Sequence, residues 1–562
     1  MSTMKRDISA LSSKEYDLVI VGGGIFGVCA AWDAASRGLS VALLEKGDFC
    51  HATSANHFKM VHGGIRYLQH GDIYRIRESS RERSALLRIA PHLVQPLPIV
   101  VPTYGHGIKG KAFLGVGLLA YDILTVDRNR NIKGDRRIPR GRFISRREVL
   151  DMFPGIKQQG LTGGAVFYDG QMYNPPRLVI SFLKSAVSEG AEAANYLEAT
   201  NFIRRNSRIL GVKALDLLSG TELEIRGKIV LNSAGPWAHH LLKQSLDLRL
   251  NPQPTFSRDL AFVVNRRALN RYAIAFPTKT QDTDSIFDRG GRHLFAVPWR
   301  DKTLIGVWHR LFSGLPEEIR ITRKELQGFI NEVNEANPSL SLTFDDISMV
   351  NSGLTLFGDE KKQDLKNMSF GKRSRLIDHD REHHIEGIVT LIGVRFTVAR
   401  GMAEKAVDLV FKKLGRKGPR SRTSDIAIYG GQIDCFNEFL RRSLEKDPAA
   451  LGKVVLGSLV YNYGSKYGEV LKYIDEEPAW SEMLGSSKVL KAEVVHAVRE
   501  EMAQKLEDVV FRRTDLGTVG YPGEDALQSC ANLMASEMNW DKRRKEKELD
   551  EVLANFPCYS DL

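Results

Sequence analysis

Cysteine is scarce in this chain of 562 residues, and no two cysteines are spaced for a metal or redox site. The five cysteines are odd in number and widely scattered, with no C-x-x-C pair and no histidine spacing suited to zinc. They are Cys29, Cys50, Cys435, Cys530 and Cys558. We therefore expect a protein of a reducing compartment without a metal site, and Cys29 is most simply a packing residue.

Long apolar runs are also lacking. Residues 1–17 carry charges throughout and contain no apolar core of signal-peptide length, so export is not expected. The most apolar later segment, FLGVGLLAYDIL at 113–124, is too short to cross a bilayer and contains Asp122. Basic residues flank it, which fits either a buried helix or a helix lying at a membrane interface. We expect a cytoplasmic protein, with peripheral attachment to the inner face of the membrane left open.

Acidic residues are fewer than basic ones. The 80 Lys and Arg residues against 68 Asp and Glu residues give a net charge of +12 and a pI near 9.3. Neither a basic face with interleaved aromatics nor a nucleic-acid-reading motif occurs, so nucleic acid is not an expected partner. The excess predicts a solvated basic surface, or attraction to an anionic substrate or an anionic membrane.

Residues 17–46, DLVIVGGGIFGVCAAWDAASRGLSVALLEK, predict a dinucleotide-binding βαβ unit. An apolar strand opens into Gly22, Gly24 and Gly27, which have the G-x-G-x-x-G spacing. Gly22 allows a tight turn, Gly24 a close approach to pyrophosphate, and Gly27 close packing of helix on strand. Glu45 ends the second strand, where a carboxylate accepts hydrogen bonds from an adenosine ribose.

Strands and helices alternate up to about residue 410, which predicts a mixed α/β region. Residues 293–308 are typical of a β-hairpin that turns at 300–302. The basic, Gly/Pro-containing segment 412–422 indicates a domain boundary with little capacity to pack. Beyond it the sequence is helix-rich, and Val494, Val498, Met502 and Val509 predict one helical core stripe. The length predicts several folded units.

Residues 53–70, TSANHFKMVHGGIRYLQH, resemble the FAD-dependent glycerol-3-phosphate dehydrogenases of the aerobic type, within the amino-acid-oxidase-like flavoproteins. The similarity extends along nearly the whole chain, in the right order. Its other segments are DLVIVGGGIFG at 17–27, FYDGQM at 167–172, NSAGPWA at 232–238, VPWRDKTLIG at 297–306, IGVRFTVARG at 392–401 and AVREEMAQKLEDVVFRRTDLG at 497–517.

The resemblance implies an α/β (α+β) fold class: a Rossmann-like FAD-binding domain, an inserted mixed β-sheet substrate domain and a helical C-terminal domain. The oxidoreductase region would cover 1–415. The implied limits are 14–100, 155–245 and 370–411 for FAD binding, 101–154 and 246–369 for the substrate domain, 412–424 for a basic linker and 425–562 for the C-terminal domain.

The resemblance also implies FAD as cofactor. The loop after the ribose carboxylate and the HGG segment would approach the flavin, while a helix beginning near residue 396 would stabilise negative charge on the reduced ring. The implied FAD-binding residues are Gly22, Gly24, Gly27, Glu45, Lys46, Thr53, Ser54, Lys59, His62, Gly63, Gly64, Ala234, Gly235, Trp237, Gly393, Phe396 and Thr397.

The implied reaction oxidises sn-glycerol 3-phosphate, or a close phosphorylated polyol, to the ketone by hydride transfer to flavin N5. Electrons would then pass to a quinone-type acceptor. Arg66, with Tyr67 beside it, inherits the role of binding the anionic group of the substrate, since a guanidinium matches phosphate or carboxylate geometry. The other candidate catalytic residues are Arg375, whose segment SRLID resembles one that supplies a substrate arginine in the family, and His309 and Arg395, which stand where the chain departs from the family pattern.

The substrate side departs from the family pattern at four places. Ala261 stands where relatives carry a histidine, and Thr355 stands where they carry a phosphate-binding arginine. Arg395 replaces a lysine, and Val307-Trp308-His309 replaces Thr-Thr-Asp. Trp308 would be a core residue or would reshape the pocket.

Three interpretations follow from these departures. Arg258, His309, Arg375 and Arg395 rebuild an anion pocket, so that an organic phosphate remains the substrate. Alternatively, a flavoenzyme of the same fold acts on a different hydroxyl or amine compound. The third alternative is a flavin-bound or flavin-free interaction protein without turnover. The sequence leaves the oligomeric state open, including a homo-oligomer.

Overall fold

The computed structural model describes residues 3–105, 111–251, 253–268, 270–278, 293–357 and 373–557. Cys558 lies outside this part of the chain. The side chains of residues 69 and 111–113 are likewise outside the description.

The described residues form seventeen β-strands. Their bounds are β1 Glu15–Val21, β2 Val41–Leu44, β3 Met60–Val61, β4 Val94–Tyr104, β5 Arg142–Ser145, β6 Leu161–Met172, β7 Glu192–Ala194, β8 Leu197–Arg205, β9 Arg208–Asp216, β10 Glu222–Asn232, β11 Thr255–Val264, β12 Ala273–Pro277, β13 His293–Trp299, β14 Lys302–Phe312, β15 Ile347–Phe357, β16 Arg375–Asp378 and β17 Ile388–Ile392.

Seventeen α-helices accompany these strands in the same part of the chain. Their bounds are α1 Ile8–Ser12, α2 Ile25–Ser36, α3 Ile73–Ile89, α4 Lys111–Leu124, α5 Arg146–Met152, α6 Pro175–Ser188, α7 Ala238–Leu246, α8 Arg323–Ala336, α9 His379–His383, α10 Ala399–Lys413, α11 Phe436–Lys446, α12 Lys453–Tyr463, α13 Gly468–Glu476, α14 Lys491–Glu500, α15 Leu506–Asp508, α16 Glu524–Met538 and α17 Lys542–Leu553.

The first sheet is Rossmann-like and contains the predicted βαβ unit. Its strands follow the order β16-β17-β10-β1-β2-β7, with β9 also paired to β10 and β8 paired to β9. β1 pairs in parallel with both β10 and β2, and six of its seven residues are buried. A strand covered on both faces needs such a continuous apolar run. Helices α10 and α6 pack against α2.

The second sheet has nine strands, in the order β15-β11-β14-β13-β12-β4-β6-β3, with β5 paired to β6. The predicted hairpin at 293–308 is present as β13 and β14, which pair from Phe295–Gly306 to Trp299–Lys302. β4 and β6 fall largely within ranges assigned above to FAD binding, yet they pair in this sheet. The segment limits along the chain therefore remain a prediction.

The segment around residues 412–424 packs more closely than its composition predicts. Ser421 and Thr423 are buried and their hydroxyl groups donate to Asp33 on α2. Arg416 pairs with Asp17 at 3.1 Å. The segment thus follows the surface of the first sheet's helical layer.

The prediction of one continuous helical stripe from Val494 to Val509 was wrong. Helix α14 ends at Glu500, and Met502 has a φ of +54°, which no α-helix allows. A separate short helix, α15, starts at Leu506 and runs into a π-helical turn over Val509–Arg513. The break places Glu501 in the interior, where it pairs with Arg177 at 2.5 Å. Among the described helices, none is both long and apolar enough to cross a bilayer.

Candidate active site

A cavity of about 770 Å³ lies between the two sheets. It starts at the carboxyl ends of β1, β10 and β17, where ligands bind in open parallel sheets. Fourteen of the residues implied as FAD-binding line it: Gly22, Gly24, Glu45, Lys46, Thr53, Ser54, His62, Gly64, Ala234, Gly235, Trp237, Gly393, Phe396 and Thr397. Of the residues implied as catalytic, Arg66, Tyr67, His309 and Arg395 line it as well.

The glycine turn at 22–27 places bare backbone at one end of the cavity. Gly22 has a φ of +109°, and a Cβ there would lie 2.6 Å from the carbonyl oxygen of Ser233. A Cβ on Gly27 would lie 1.9 Å from the carbonyl oxygen of Gly22, so Gly27 permits the packing of α2 on β1 without lining the cavity. At the start of α2, the Ile25 N–H donates to the Ser54 hydroxyl at 3.0 Å.

Glu45 lies beside this turn and is buried. Its carboxylate accepts the N–H groups of Gly23 at 2.6 Å and Gly47 at 2.9 Å. Next to it, the Lys46 ammonium lies 4.1 Å from the ring centroid of Trp237 and 2.9 Å from Glu317. Glu317 also accepts the indole N–H of Trp237. Lys46, Trp237 and Glu317 come from three separate segments of the chain, and their mutual contacts form part of the cavity wall.

The HGG segment is organised by Asp169 from the FYDGQM segment. This buried carboxylate accepts the Gly63 N–H at 2.6 Å and lies 3.2 Å from Nδ1 of His62. The fully buried Arg83 pairs with it at 2.9 Å. A Cβ on Gly63 would lie 2.1 Å from the guanidinium of Arg83, so this glycine makes room for Arg83 and does not line the cavity. Gly64, with a φ of +89°, does line it.

Lys59 does not line the cavity either. Its ammonium donates to Asn351 Oδ1 at 2.9 Å and to the carbonyl oxygens of Ala55 and His57 at 3.2 Å. Burial lowers the pKa of Lys59 to about 7, with the charge of Arg300 adding to the effect. The geometry gives Lys59 a bracing role between the 53–58 loop and β15.

The cationic part of the cavity centres on Tyr67. Arg395 donates to the Ser79 hydroxyl at 2.7 Å and to the Tyr67 hydroxyl at 3.1 Å, and it pairs with Glu78 at 3.2 Å. On the same ring, the guanidinium carbon of Arg75 lies 4.3 Å from the centroid. With Arg66 also lining this region, the cavity offers guanidinium groups to an anionic ligand.

The second sheet presents one face of β11 and β14 to the cavity. His309 Nδ1 lies 2.6 Å from Asp259 Oδ1, and the Ser257 hydroxyl donates to the same oxygen at 2.7 Å. Asp259, Ala261, His309 and Thr355 all line the cavity. Side chains alternate along a strand, so their neighbours lie on the opposite face.

Arg258 and Trp308 are two such neighbours. Arg258 pairs with Glu325 and does not line the cavity, so it takes no part in a rebuilt anion pocket. The ring of Trp308 stacks on Phe329 at 5.4 Å, and its N–H donates to Glu332 at 2.8 Å. Trp308 is therefore a core residue and does not shrink the cavity.

Arg375 lies on β16, opposite Ile392 of β17, and is not among the described residues that line the cavity. Burial and the nearby charge of Lys243 lower the pKa of His239, and the charge of Arg375 adds to this effect. Among the described lining residues, the cavity thus brings together Arg66, Tyr67, His309 and Arg395 without Arg375.

Sequence reasoning missed Asp169, Asp259, Glu317 and His57 as site residues. Asp169 could have been found within the quoted FYDGQM segment, whereas Asp259 and Glu317 have no local signal. His57 lines the cavity with its ring centroid 5.0 Å from that of Phe396. Burial, with the charge of Lys59, lowers the pKa of His57 to about 3, so this ring is neutral.

Comparison with known families decides the class of the site. The profile of FAD dependent oxidoreductases matches residues 17–408, and that of the C-terminal domain of alpha-glycerophosphate oxidase matches residues 421–545. The chain belongs to the FAD-dependent oxidoreductase family. This finding confirms the class of enzyme, the cofactor FAD and the implied resemblance.

Named relatives of this FAD-dependent oxidoreductase cover nearly the whole chain. It is 29% identical over 554 residues to a glycerol-3-phosphate dehydrogenase of Synechocystis sp., with 97% of each chain covered. It is 30% identical over 526 residues to an aerobic glycerol-3-phosphate dehydrogenase of Staphylococcus haemolyticus, covering 92% of this chain and 89% of the relative.

A solved structure confirms the fold class predicted for this FAD-dependent oxidoreductase. The glycerol-3-phosphate dehydrogenase of Bacillus halodurans complexed with FAD matches with a TM-score of 0.77 and 25% identity, covering 98% of this chain and 96% of that chain. The residues present fit the cofactor. A Cβ-free turn at Gly22, the start of α2 and the buried Glu45 form a cradle for an adenine dinucleotide.

Proposed function

We propose that the chain oxidises sn-glycerol 3-phosphate, or a close phosphorylated polyol, to the corresponding ketone. The observation that carries the proposal is that one cavity is lined both by the dinucleotide cradle and by Arg66, Tyr67 and Arg395. The names of the full-length relatives support the same substrate.

FAD, when bound, supplies the hydride acceptor at N5 of its flavin, and the protein supplies binding and orientation. The FAD-binding roles proposed for this chain belong to the cavity-lining residues, with Gly27, Gly63 and Lys59 acting through packing. Arg66 binds the phosphate, because its guanidinium can form paired hydrogen bonds with two oxygens. Arg395 is held beside Arg66 by Glu78, Tyr67 and Ser79, which fixes the position of its guanidinium at the cavity.

Thr355 and Ala261 make this pocket different from a purely cationic one. Both line the cavity on the second sheet, where Thr355 offers a hydroxyl group and Ala261 only a methyl group. This observation favours, as second candidate, a flavoenzyme of the same fold with another hydroxyl or amine substrate. In either case the two-electron chemistry requires that electrons leave the flavin, and we propose a quinone-type acceptor.

An anaerobic reduction experiment distinguishes the candidates. The purified protein is mixed without oxygen with glycerol 3-phosphate and, separately, with sugar phosphates, hydroxy acids and amines, while the flavin absorbance is recorded. Bleaching by glycerol 3-phosphate is expected, and Arg66→Ala should raise the concentration needed while leaving the flavin content unchanged. Bleaching only by a compound without phosphate would overturn the proposed substrate, and no bleaching by any compound would favour a protein without turnover.

The domain division is also a proposal. We assign the oxidoreductase region to 1–415, the basic linker to 412–424 and the helical domain to 425–562. The first sheet would hold the cofactor and the second sheet would cover the substrate, since the cavity lies between them.

Helix α4 is the element we assign to contact with an anionic membrane, where a quinone would be reached. Val116, Leu119, Ile123 and Val126 lie on one side of the helix and its C-terminal extension, and each is more than 60% exposed. The opposite side is buried through Leu118 and Tyr121, whose hydroxyl donates to the Gly63 carbonyl at 3.0 Å. An apolar stripe this exposed on a basic protein fits an interfacial helix.

A further inference from the structure

A carboxylate and an imidazole form a hydrogen-bonded pair on the cavity-facing side of the second sheet. Asp259 and His309 are directly opposite each other on β11 and β14, and 2.6 Å separates Asp259 Oδ1 from His309 Nδ1. Their side chains are 18% and 17% exposed, and both line the cavity. The Ser257 hydroxyl, itself buried, donates to the same carboxylate oxygen at 2.7 Å.

This arrangement fixes which nitrogen of the ring carries the proton. The Asp259 carboxylate can only accept a hydrogen bond, so Nδ1 of His309 is the donor. The neutral imidazole therefore carries its proton on Nδ1 and its lone pair on Nε2. A carboxylate at Nδ1 also stabilises the imidazolium that forms when Nε2 takes up a proton. Ser257 holds the carboxylate by using one of its acceptor positions.

We propose that His309, oriented by Asp259, is the group that accepts the hydroxyl proton of the substrate. The inference rests on the proposed function, because the oxidation of a secondary alcohol releases one proton together with the hydride. Ala261, two residues from Asp259 on the same face of β11, brings no titratable group to this place.

Oxidation of the alcohol breaks a C–H bond and an O–H bond. The C–H bond of the alcohol carbon breaks and its electron pair leaves as hydride to FAD, which is reduced by two electrons. The O–H bond breaks, its electron pair forms the second bond of the carbonyl group, and the proton moves to Nε2 of His309. The imidazolium then releases the proton to solvent.

Other charged and titratable groups face the same space. His293 comes from β13, which pairs with β14, and Arg66 and Arg395 come from the first-sheet side of the cavity. The two guanidinium groups do not lose their protons in the accessible pH range, so they cannot accept one from the substrate. Their charges favour an anionic substrate beside the neutral imidazole.

The test measures flavin reduction by glycerol 3-phosphate in anaerobic stopped-flow mixing as a function of pH. In the wild type the rate should rise with pH, because only a neutral imidazole accepts a proton. His309→Ala should lower the rate by about 100-fold or more and remove that pH dependence. Adding free imidazole to this variant should restore part of the rate, an effect that a purely structural role would not produce.

Asp259→Asn tests the orienting role separately. An amide at this position donates to Nδ1 instead of accepting from it, which moves the ring proton to Nε2, so a comparable loss of rate is expected. His384→Asn, at an exposed histidine that does not line the cavity, should leave the rate near that of the wild type. Flavin content and circular dichroism show that each variant is folded.

The outcomes separate the two proposals. A wild type that glycerol 3-phosphate does not reduce, but another alcohol does, overturns the proposed substrate, and the same variants are then measured with that alcohol. A His309→Ala protein that keeps its flavin and is reduced at the wild-type rate with the wild-type pH profile would show that the pair is not the proton acceptor.

Discussion

Gly24 and Gly27 belong to the same G-x-G-x-x-G motif, but the structure gives them different surroundings. At Gly24 a Cβ would meet only the Ser54 hydroxyl, at 3.1 Å. At Gly27 it would lie 1.9 Å from a backbone oxygen, which cannot move away without displacing the turn. Gly27 thus sets the distance between α2 and β1, and through it the shape of the cradle.

We therefore expect Gly27→Ala to reduce both stability and FAD affinity. The added methyl group overlaps backbone, and overpacking of this kind costs about 1–3 kcal/mol. Gly457→Ala is the matched control, because Gly457 lies inside helix α12 with no atom within 4 Å of its ideal Cβ. That change should stabilise the protein by about 0.5–1 kcal/mol. Urea unfolding measures the stability of each variant, and FAD titration measures its cofactor affinity. If Gly27→Ala matched Gly457→Ala in both measurements, Gly27 would not have the packing role.

Residues whose role is local were predictable, whereas those that act through distant partners were not. The turn glycines and Glu45 act within about 25 residues of one another, so their spacing alone indicated the cradle. Lys59 and Gly63 stand in a motif predicted to approach the flavin, yet Lys59 donates to Asn351, and Gly63 leaves the room that the Arg83 side chain fills. Only the folded chain shows that they brace the loop from behind.

At the scale of strands, the cavity-facing residues depend on a register that sequence patterns do not give. β11 and β14 shift register between Leu260 and Ala261. A one-residue slip would exchange the faces of the strand and turn Arg258, instead of Asp259, toward the cavity. For this reason the sequence placed Arg258 and His309 together in one predicted anion pocket, although only His309 lines the cavity.

At the scale of helices, α4 has an exposed apolar face and is followed along the chain by a segment with exposed basic residues. Exposed arginines follow at positions 130, 137 and 140, and the chain returns to the helix at Gly141, whose ideal Cβ lies 3.2 Å from Leu118. Basic residues near an apolar stripe add attraction to an anionic lipid surface. The sequence alone could not choose between a buried and an exposed helix, and the exposure of Leu119 and Ile123 favours contact with a membrane.

The protein should accordingly float with vesicles that contain anionic lipid in a density gradient. Leu119→Gln combined with Ile123→Gln should reduce the floated fraction strongly, because two apolar groups are removed from the contact. Leu217→Gln with Leu218→Gln is the matched control, since these exposed leucines lie in the turn after β9. If the wild type remains at the bottom of the gradient at low salt, it does not bind the vesicles. If the two double variants float to the same extent, α4 is not the membrane contact.

At the scale of the whole molecule, a buried ion network joins the C-terminal helices to the loop that follows β2. This loop carries Glu45 and is called the cofactor loop below. Asp48 is three residues past Glu45 and accepts hydrogen bonds from Arg512 at 2.6 Å and from Arg513 at 2.6 and 2.7 Å. Burial raises the pKa of Asp48, but the charges of Arg513 and Arg512 outweigh it, so the pKa lies below its ordinary value. Partners 464 residues apart give no signal in a single sequence.

Asp48→Asn should therefore destabilise the protein and release FAD, although the residue touches no part of the cavity. The change takes from the buried Arg513 the carboxylate of its ion pair, whereas Arg512 keeps Asp508 and Glu507. Removing one partner of a buried ion pair costs about 3–5 kcal/mol. Asp434→Asn removes a partner from the exposed pair with Lys133 and should change stability by about 0–1 kcal/mol. Denaturant unfolding followed by circular dichroism and by flavin fluorescence measures fold and cofactor separately. Because Asp48 lies on the loop that carries Glu45, we expect both signals to shift together to lower denaturant concentration, and a shift of neither would mean that the helical region does not support the cofactor loop.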